Sequence, residues 1–132
     1  MIEKEKIWIK KWLIKANEDI EVIEDLCKLH PTHYTGSICL HSQQAVEKFF
    51  KAFLIYHGVD FERTHNLYFL YKECIKFEQL DIDLVLLKKL IYYATDGRYP
   101  DDIDFPDLKE TLEYKALALQ VKSLIEKKII LD

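Results

Sequence analysis

The sequence predicts an all-α fold, an antiparallel up-and-down bundle of four longer helices plus one shorter helix, on three observations. Apolar residues recur at spacings of three and four over long windows, as helices with one buried face require. Only three glycines and three prolines occur in 132 residues, too few to supply the tight turns of a multi-stranded antiparallel fold. Hydrophobic residues make up 49%, aromatic residues 13% and charged residues 32%, so there is material for one packed core and a solvated surface. The expected organisation is a single domain over residues 1–132.

The first helix is expected over roughly residues 4–29, with Trp8, Trp12, Ala16, Ile20, Ile23 and Cys27 on its apolar side and Glu18, Glu21, Glu24 and Lys28 opposite. Pro31 stops it, because proline lacks an amide donor and restricts the residue before it. A second, central helix over about 34–57 gathers Ile38, Ala45, Phe49, Ala52, Phe53 and Tyr56 on one face and ends at Gly58. Thr64 or Asn66 can cap a third helix bearing Leu67, Leu70, Tyr71 and Cys74, ending near Phe77. Asp81 and Asp83 suit the start of a fourth, with Leu84, Leu87, Leu90, Ile91 and Ala94 for burial and Gly97 as terminator. Residues 97–107, which hold two prolines and four aspartates, Asp107 among them, form the one substantial irregular loop. Asp107 can then cap a fifth helix reaching about residue 128, with Leu108, Leu112, Ala116, Leu119 and Leu124 for its core.

A net charge of −4 argues against a generally basic, nonspecific polyanion binder, while leaving room for a local basic stripe. Cys27, Cys39 and Cys74 are odd in number and far apart, which fits reduced thiols and a cytoplasmic location. The apolar start around Ile7 and Trp12 is broken by lysines and is expected to be neither a signal peptide nor a membrane span. A membrane-surface helix is the alternative for that segment. No cofactor is implied. Cys27, His30 and His33 superficially suggest a metal site, but Pro31 breaks their phase and no fourth ligand stands nearby, so no metal is expected.

Several residue groups have a functional and a plain reading. His41, Gln44, Lys48 and Lys51 recur at spacings of three and four, so they form either a stripe facing a phosphate or partner, or a solvated helix face. Glu47 can pair with Lys51 one turn away. Arg98, Tyr99, Asp101 and Asp102 form either a binding loop whose arginine meets a phosphate, or a turn shaped by Gly97 and Pro100. Thr64 and His65 can cap a helix, or His65 can bring an imidazole to that end of the bundle. The aromatic set Phe49, Phe50, Phe53, Tyr56, Tyr92 and Tyr93 can fill a bulky core or line a dimer interface.

The segment His41-Ser42-Gln43-Gln44-Ala45-Val46-Glu47-Lys48-Phe49-Phe50-Lys51-Ala52-Phe53-Leu54, followed by Gly58, by Thr64-His65-Asn66-Leu67 and later by Arg98-Tyr99-Pro100-Asp101, resembles the prokaryotic HEPN family. The resemblance implies a helical bundle that forms homodimers, is often encoded beside a minimal nucleotidyltransferase in a two-component, toxin–antitoxin-like pair, and binds nucleotide or cleaves RNA. On the functional reading of the stripe and the loop, Lys48, Lys51 and Arg98 would contact phosphate and Gln44 and Asp101 would orient the ligand, with His41, His65, Tyr99 and Asp102 in support. Nuclease members of the family carry an arginine and a histidine separated by four to six residues near the last long helix. Here the only arginines are Arg63 and Arg98, and no histidine follows His65. Metal-independent RNA cleavage needs a base and an acid near neutral pH, a task suited to histidine. The expectation is therefore a binding protein with no assigned catalytic residue; a ribonuclease using His41 or His65, and a pure interaction module, are the alternatives.

Overall fold

Among the described residues, five helices form where the periodicity and the stop signals place them. The structure is a computed structural model that describes residues 1–59, 61, 64, 66–95 and 106–132, with positions 93–95 described as backbone only. The helices are α1 (Glu3–Leu29), α2 (Thr35–Tyr56), α3 (Leu67–Cys74), α4 (Leu84–Thr95) and α5 (Leu108–Lys128), and no strand occurs among the described residues.

Local chemistry sets their ends. Glu3 and Glu5 lie in the first turn of α1 and Lys28 in its last, each complementing the helix dipole. The α1 chain leaves the helical region at His30, before Pro31. Gly58 follows α2 with φ 75°, the left-handed conformation that glycine adopts without a Cβ penalty, and the next amide, Val59 N, donates to Leu54 O at 2.9 Å. Asn66 caps α3 by accepting from Phe69 N at 3.0 Å, and Thr64 Oγ1 in turn accepts from Asn66 N at 3.1 Å. Asp83 accepts from Leu86 N at the start of α4, and Asp107 from Glu110 N at the start of α5. Gly97, expected to end α4, lies outside the described residues.

Paired residues give the chain directions. Trp12 meets Lys51 while Asp19 meets His41 and Lys48, so α1 and α2 run antiparallel. Asn17 donates to Glu126, and Lys115 pairs with Glu24, so α5 also opposes α1. Gln120 reaches the Asp81 carbonyl just before α4, and Lys128 reaches Glu78, which sets α4 against α5. The four longer helices thus alternate in direction, with α3 interposed.

Helix α2 packs against all four others. It is accordingly buried nearly all round, with Phe49, Phe50 and Phe53 at 0% exposure and Tyr114 of α5 beside them in the core. Each such ring is worth about 1.5–3 kcal/mol in removal from water. The three phenylalanines therefore belong to the core rather than to an interface; Tyr56 is half-buried and Tyr92 is exposed. A smaller cluster of Ile9, Ala52 and Ile55, with Trp12, Phe61 and Ile129 against it, closes one end of the bundle.

One expectation about α1 is corrected. Trp8 is 53% exposed, and it is Ile9, at 0%, that enters the core together with Ala16, Ile20 and Ile23.

Candidate functional site: two ionic clusters on the central helix

The polar residues of α2 do not form one stripe. They divide into two clusters that meet different parts of α1.

The first is organised by Asp19, which flanks the apolar face of α1 and is only 6% exposed. Its Oδ1 lies 2.9 Å from His41 Nδ1 and its Oδ2 lies 2.6 Å from Lys48 Nζ. An ionised carboxylate only accepts, so His41 carries its proton on Nδ1 and both Asp19 oxygens are engaged. The His41 and Lys48 side chains keep 29% and 25% of their surface. Gln44 is half-buried between them, one turn from each. An imidazole, an amide and an ammonium group thus stand side by side at the surface, with two of the three held from below by one buried carboxylate. Such an arrangement limits the rotamer freedom of the cation and the ring, which lowers the ordering cost of gripping an anion.

The second cluster is inside. Lys51, expected to face a ligand beside Lys48, is 4% exposed. Its Nζ lies 3.3 Å from Glu47 Oε2 and 5.4 Å from the ring centres of both Trp12 and Phe61. Gln43 Nε2 donates to Glu47 Oε1 at 3.4 Å. The wall above Lys51 is aromatic, with the Trp12 and Phe61 rings in edge contact at 6.1 Å. The expected pairing of Glu47 with Lys51 is present, but as a buried structural pair. Lys51 is a packing cation and not an exposed ligand contact.

The remaining expected site residues, Arg98, Tyr99, Asp101, Asp102 and His65, lie outside the described residues. Asp19 was not among the expected site residues. Its signal in the sequence is a carboxylate beside an otherwise apolar helical face, between Ala16 and Ile20, where an acid needs a partner.

Other reactive groups are quiet. Burial pushes the Cys39 thiol up to about 12, and burial also raises Cys74, so neither is a thiolate nucleophile at neutral pH. His30 packs against His33, with ring centres 5.5 Å apart. Among the described residues no group of three His, Cys, Asp or Glu side chains is placed to hold a metal. Nor is any described helix long and apolar enough to cross a membrane.

Comparison with known proteins agrees with this architecture. A solved archaeal HEPN homologue superposes with a TM-score of 0.66, covering 92% of this chain and 98% of its own, at 18% sequence identity, which is a likeness of fold. A Methanocaldococcus jannaschii protein named "Putative toxin MJ1304" is 45% identical over 56 residues, a match that spans 42% of this chain and 35% of that protein's length. The HEPN domain family model matches residues 9–129, from the first core residue of α1 to the end of α5, and the chain belongs to the HEPN domain family.

Proposed function

We propose that this chain is one HEPN domain that acts as a homodimeric binding component of a two-component, toxin–antitoxin-like system, gripping a nucleotide or RNA phosphate in the cytoplasm and working with a separately encoded nucleotidyltransferase. The toxin-like role follows the name of the Methanocaldococcus relative. The single observation that supports ligand binding is the Asp19 clamp, which holds Lys48 and His41 side by side at a surface with Gln44 between them. Lys48 would contact phosphate oxygens and Gln44 would orient the ligand. Arg98 and Asp101, with Tyr99, Asp102 and His65 in support, would complete the site. Lys51 is left out of the ligand contacts because its ammonium is committed to Glu47.

Calorimetry with nucleoside triphosphates and a short RNA tests the binding half. Lys48→Ala and Arg98→Ala are each expected to weaken binding about tenfold or more, a change of about 1.4 kcal/mol. Absence of heat with every nucleotide and RNA would remove it. Copurification with a nucleotidyltransferase encoded next to this gene tests the partner half.

A second reading has one observation in its favour. A carboxylate that fixes an imidazole by Nδ1 is the usual way of orienting a general base, and Asp19 does this to His41. Under that reading the dimer cleaves RNA without metal and His41→Ala abolishes cleavage. Intact RNA after long incubation with the unaltered protein would dismiss it.

A further inference from the structure

Helices α3 and α4 converge on one aromatic ring. Tyr68 of α3 is half-buried, and two ammonium groups lie against it: Lys72 Nζ, from the same helix, is 4.9 Å from the ring centre and Lys88 Nζ, from α4, is 4.7 Å from it. The quadrupole of a single ring thus serves two cations. The ammonium groups stand no more than about 10 Å apart, which is the screening length at 0.1 M salt, so each still feels the other's charge. Lys72, Lys88 and the adjacent Lys89 are all exposed, and none of the three forms an ion pair among the described residues. Glu73, on the same helix as Lys72, is committed to Lys76 at 2.8 Å, and Asp83 is committed to capping α4 through Leu86 N.

Exposed aromatic residues flank these cations on both helices. Phe69 stands one turn before Lys72, and Tyr92 one turn after Lys88 and Lys89, at spacings of three and four that keep each ring beside a lysine. Phe69 is 41% exposed and Tyr92 45%. We propose that this α3–α4 face is a binding surface for single-stranded RNA, with Lys72, Lys88 and Lys89 on the phosphates and Phe69 and Tyr92 as platforms for unpaired bases. Charge complementarity chooses the class of ligand, because unbalanced cations held close together call for an anion. The interleaved rings choose within that class. Every repeat of an RNA strand carries a phosphate and a flat base, matching the alternation of lysine and ring. A duplex keeps its base faces inside the stack and would meet the lysines alone. An acidic peptide matches the charge but brings no base to the rings. The overall charge of −4 does not oppose this reading, since the attraction is set by the groups within a screening length of the strand. The face is also separate from the Asp19 clamp: α1 packs against neither α3 nor α4, whereas α2 packs against all three.

Fluorescence anisotropy of the full chain with a labelled short oligouridylate is the test, with circular dichroism to confirm folding of these exposed variants. Lys72→Ala/Lys88→Ala is expected to raise the dissociation constant about tenfold or more. It should also make the dependence of log K on log salt shallower by about 1.4, since each phosphate contact on a single strand contributes about 0.7. Lys72→Arg/Lys88→Arg keeps both charges and should stay within about threefold of the unaltered protein. Phe69→Ala/Tyr92→Ala should weaken binding about fivefold or more with the salt slope unchanged, because stacking displaces no counterions. Binding of a nucleoside triphosphate at the Asp19 clamp should be indifferent to all of these variants. An oligouridylate affinity and salt slope unmoved by Lys72→Ala/Lys88→Ala would overturn the α3–α4 face while leaving the clamp standing. No binding of the strand even at low salt would do the same. Polyglutamate that displaces the strand as effectively as unlabelled RNA would overturn RNA as the ligand and assign the face to an acidic protein.

Discussion

Lys48 and Lys51 are three residues apart on the same helix and have opposite fates. Lys48 meets Asp19 and keeps a quarter of its side chain in water, whereas Lys51 meets Glu47 and is sealed beneath Trp12 and Phe61. The difference comes from what α1 brings over each position. Near Asp19, α1 supplies a carboxylate and then leaves the surface open; near Trp12 it supplies a ring. A buried pair costs several kcal/mol in desolvation per ion, which the partner must offset, so breaking it is far more damaging than its net stabilisation suggests. A partly open pair has water as a substitute.

That contrast can be broken experimentally, beginning with the deepest residue. Lys51→Ala should destabilise the fold by about 3–5 kcal/mol in urea unfolding, because Glu47 loses its ammonium partner inside the bundle; a loss below about 1 kcal/mol would mean that Lys51 is as solvated as Lys48. Asp19→Ala should cost about 1–3 kcal/mol, the range for removing a largely buried hydrogen-bonding partner from groups that can still reach water. Lys48→Ala should cost under about 1 kcal/mol in the same assay, even though the proposed function makes it the more damaging change for ligand binding. Stability and binding should therefore rank the two lysines in opposite order.

The smallest effect sharpens the same lesson with two histidines. His41 is held by a carboxylate, while His57 lies flat on Phe77 at 4.5 Å with its Nε2 buried and without a hydrogen-bond partner among the described residues. Burial pushes the His57 imidazole below its ordinary value, partly countered by Glu78. Its folded-state value is then the lower of the two, so the unfolded chain takes up the proton first as the solution is acidified. The associated stability is present above the ordinary imidazole value of about 6.5 and is lost as pH falls through it. His57→Phe should flatten the fall of the melting temperature between about pH 7 and about pH 5; an unchanged slope would assign the acid sensitivity to other groups.

Much of the architecture was legible because its signals are local. Pro31, Gly58, Asn66, Asp83 and Asp107 mark helix ends by backbone and capping chemistry that needs no tertiary partner, and each acts where the spacing predicts. The phase of α1 was less legible for a geometric reason. Trp8, Trp12, Ala16 and Ile20 are successive steps of four, and at 3.6 residues per turn each such step advances about 40° around the axis. By Trp8 the run has rotated out of the core, and Ile9 takes its place. The candidate site divides in the same way. Spacing shows that His41, Gln44 and Lys48 are neighbours. It does not reveal that α1 carries Asp19 to them, or that Lys51 is roofed by two rings, since both depend on a helix distant in sequence. The loop residues Arg98, Tyr99, Asp101 and Asp102 lie outside the described residues.

The three thiols turn this packing into a clock. Cys39 faces Thr111 and Cys74 faces the Phe50 carbonyl, both deep in the bundle, while Cys27 sits half-exposed near the end of α1. An alkylating reagent should tag Cys27 first and reach the other two only when helices separate. The mass of the labelled chain, followed over time, then records how often the bundle opens around its central helix.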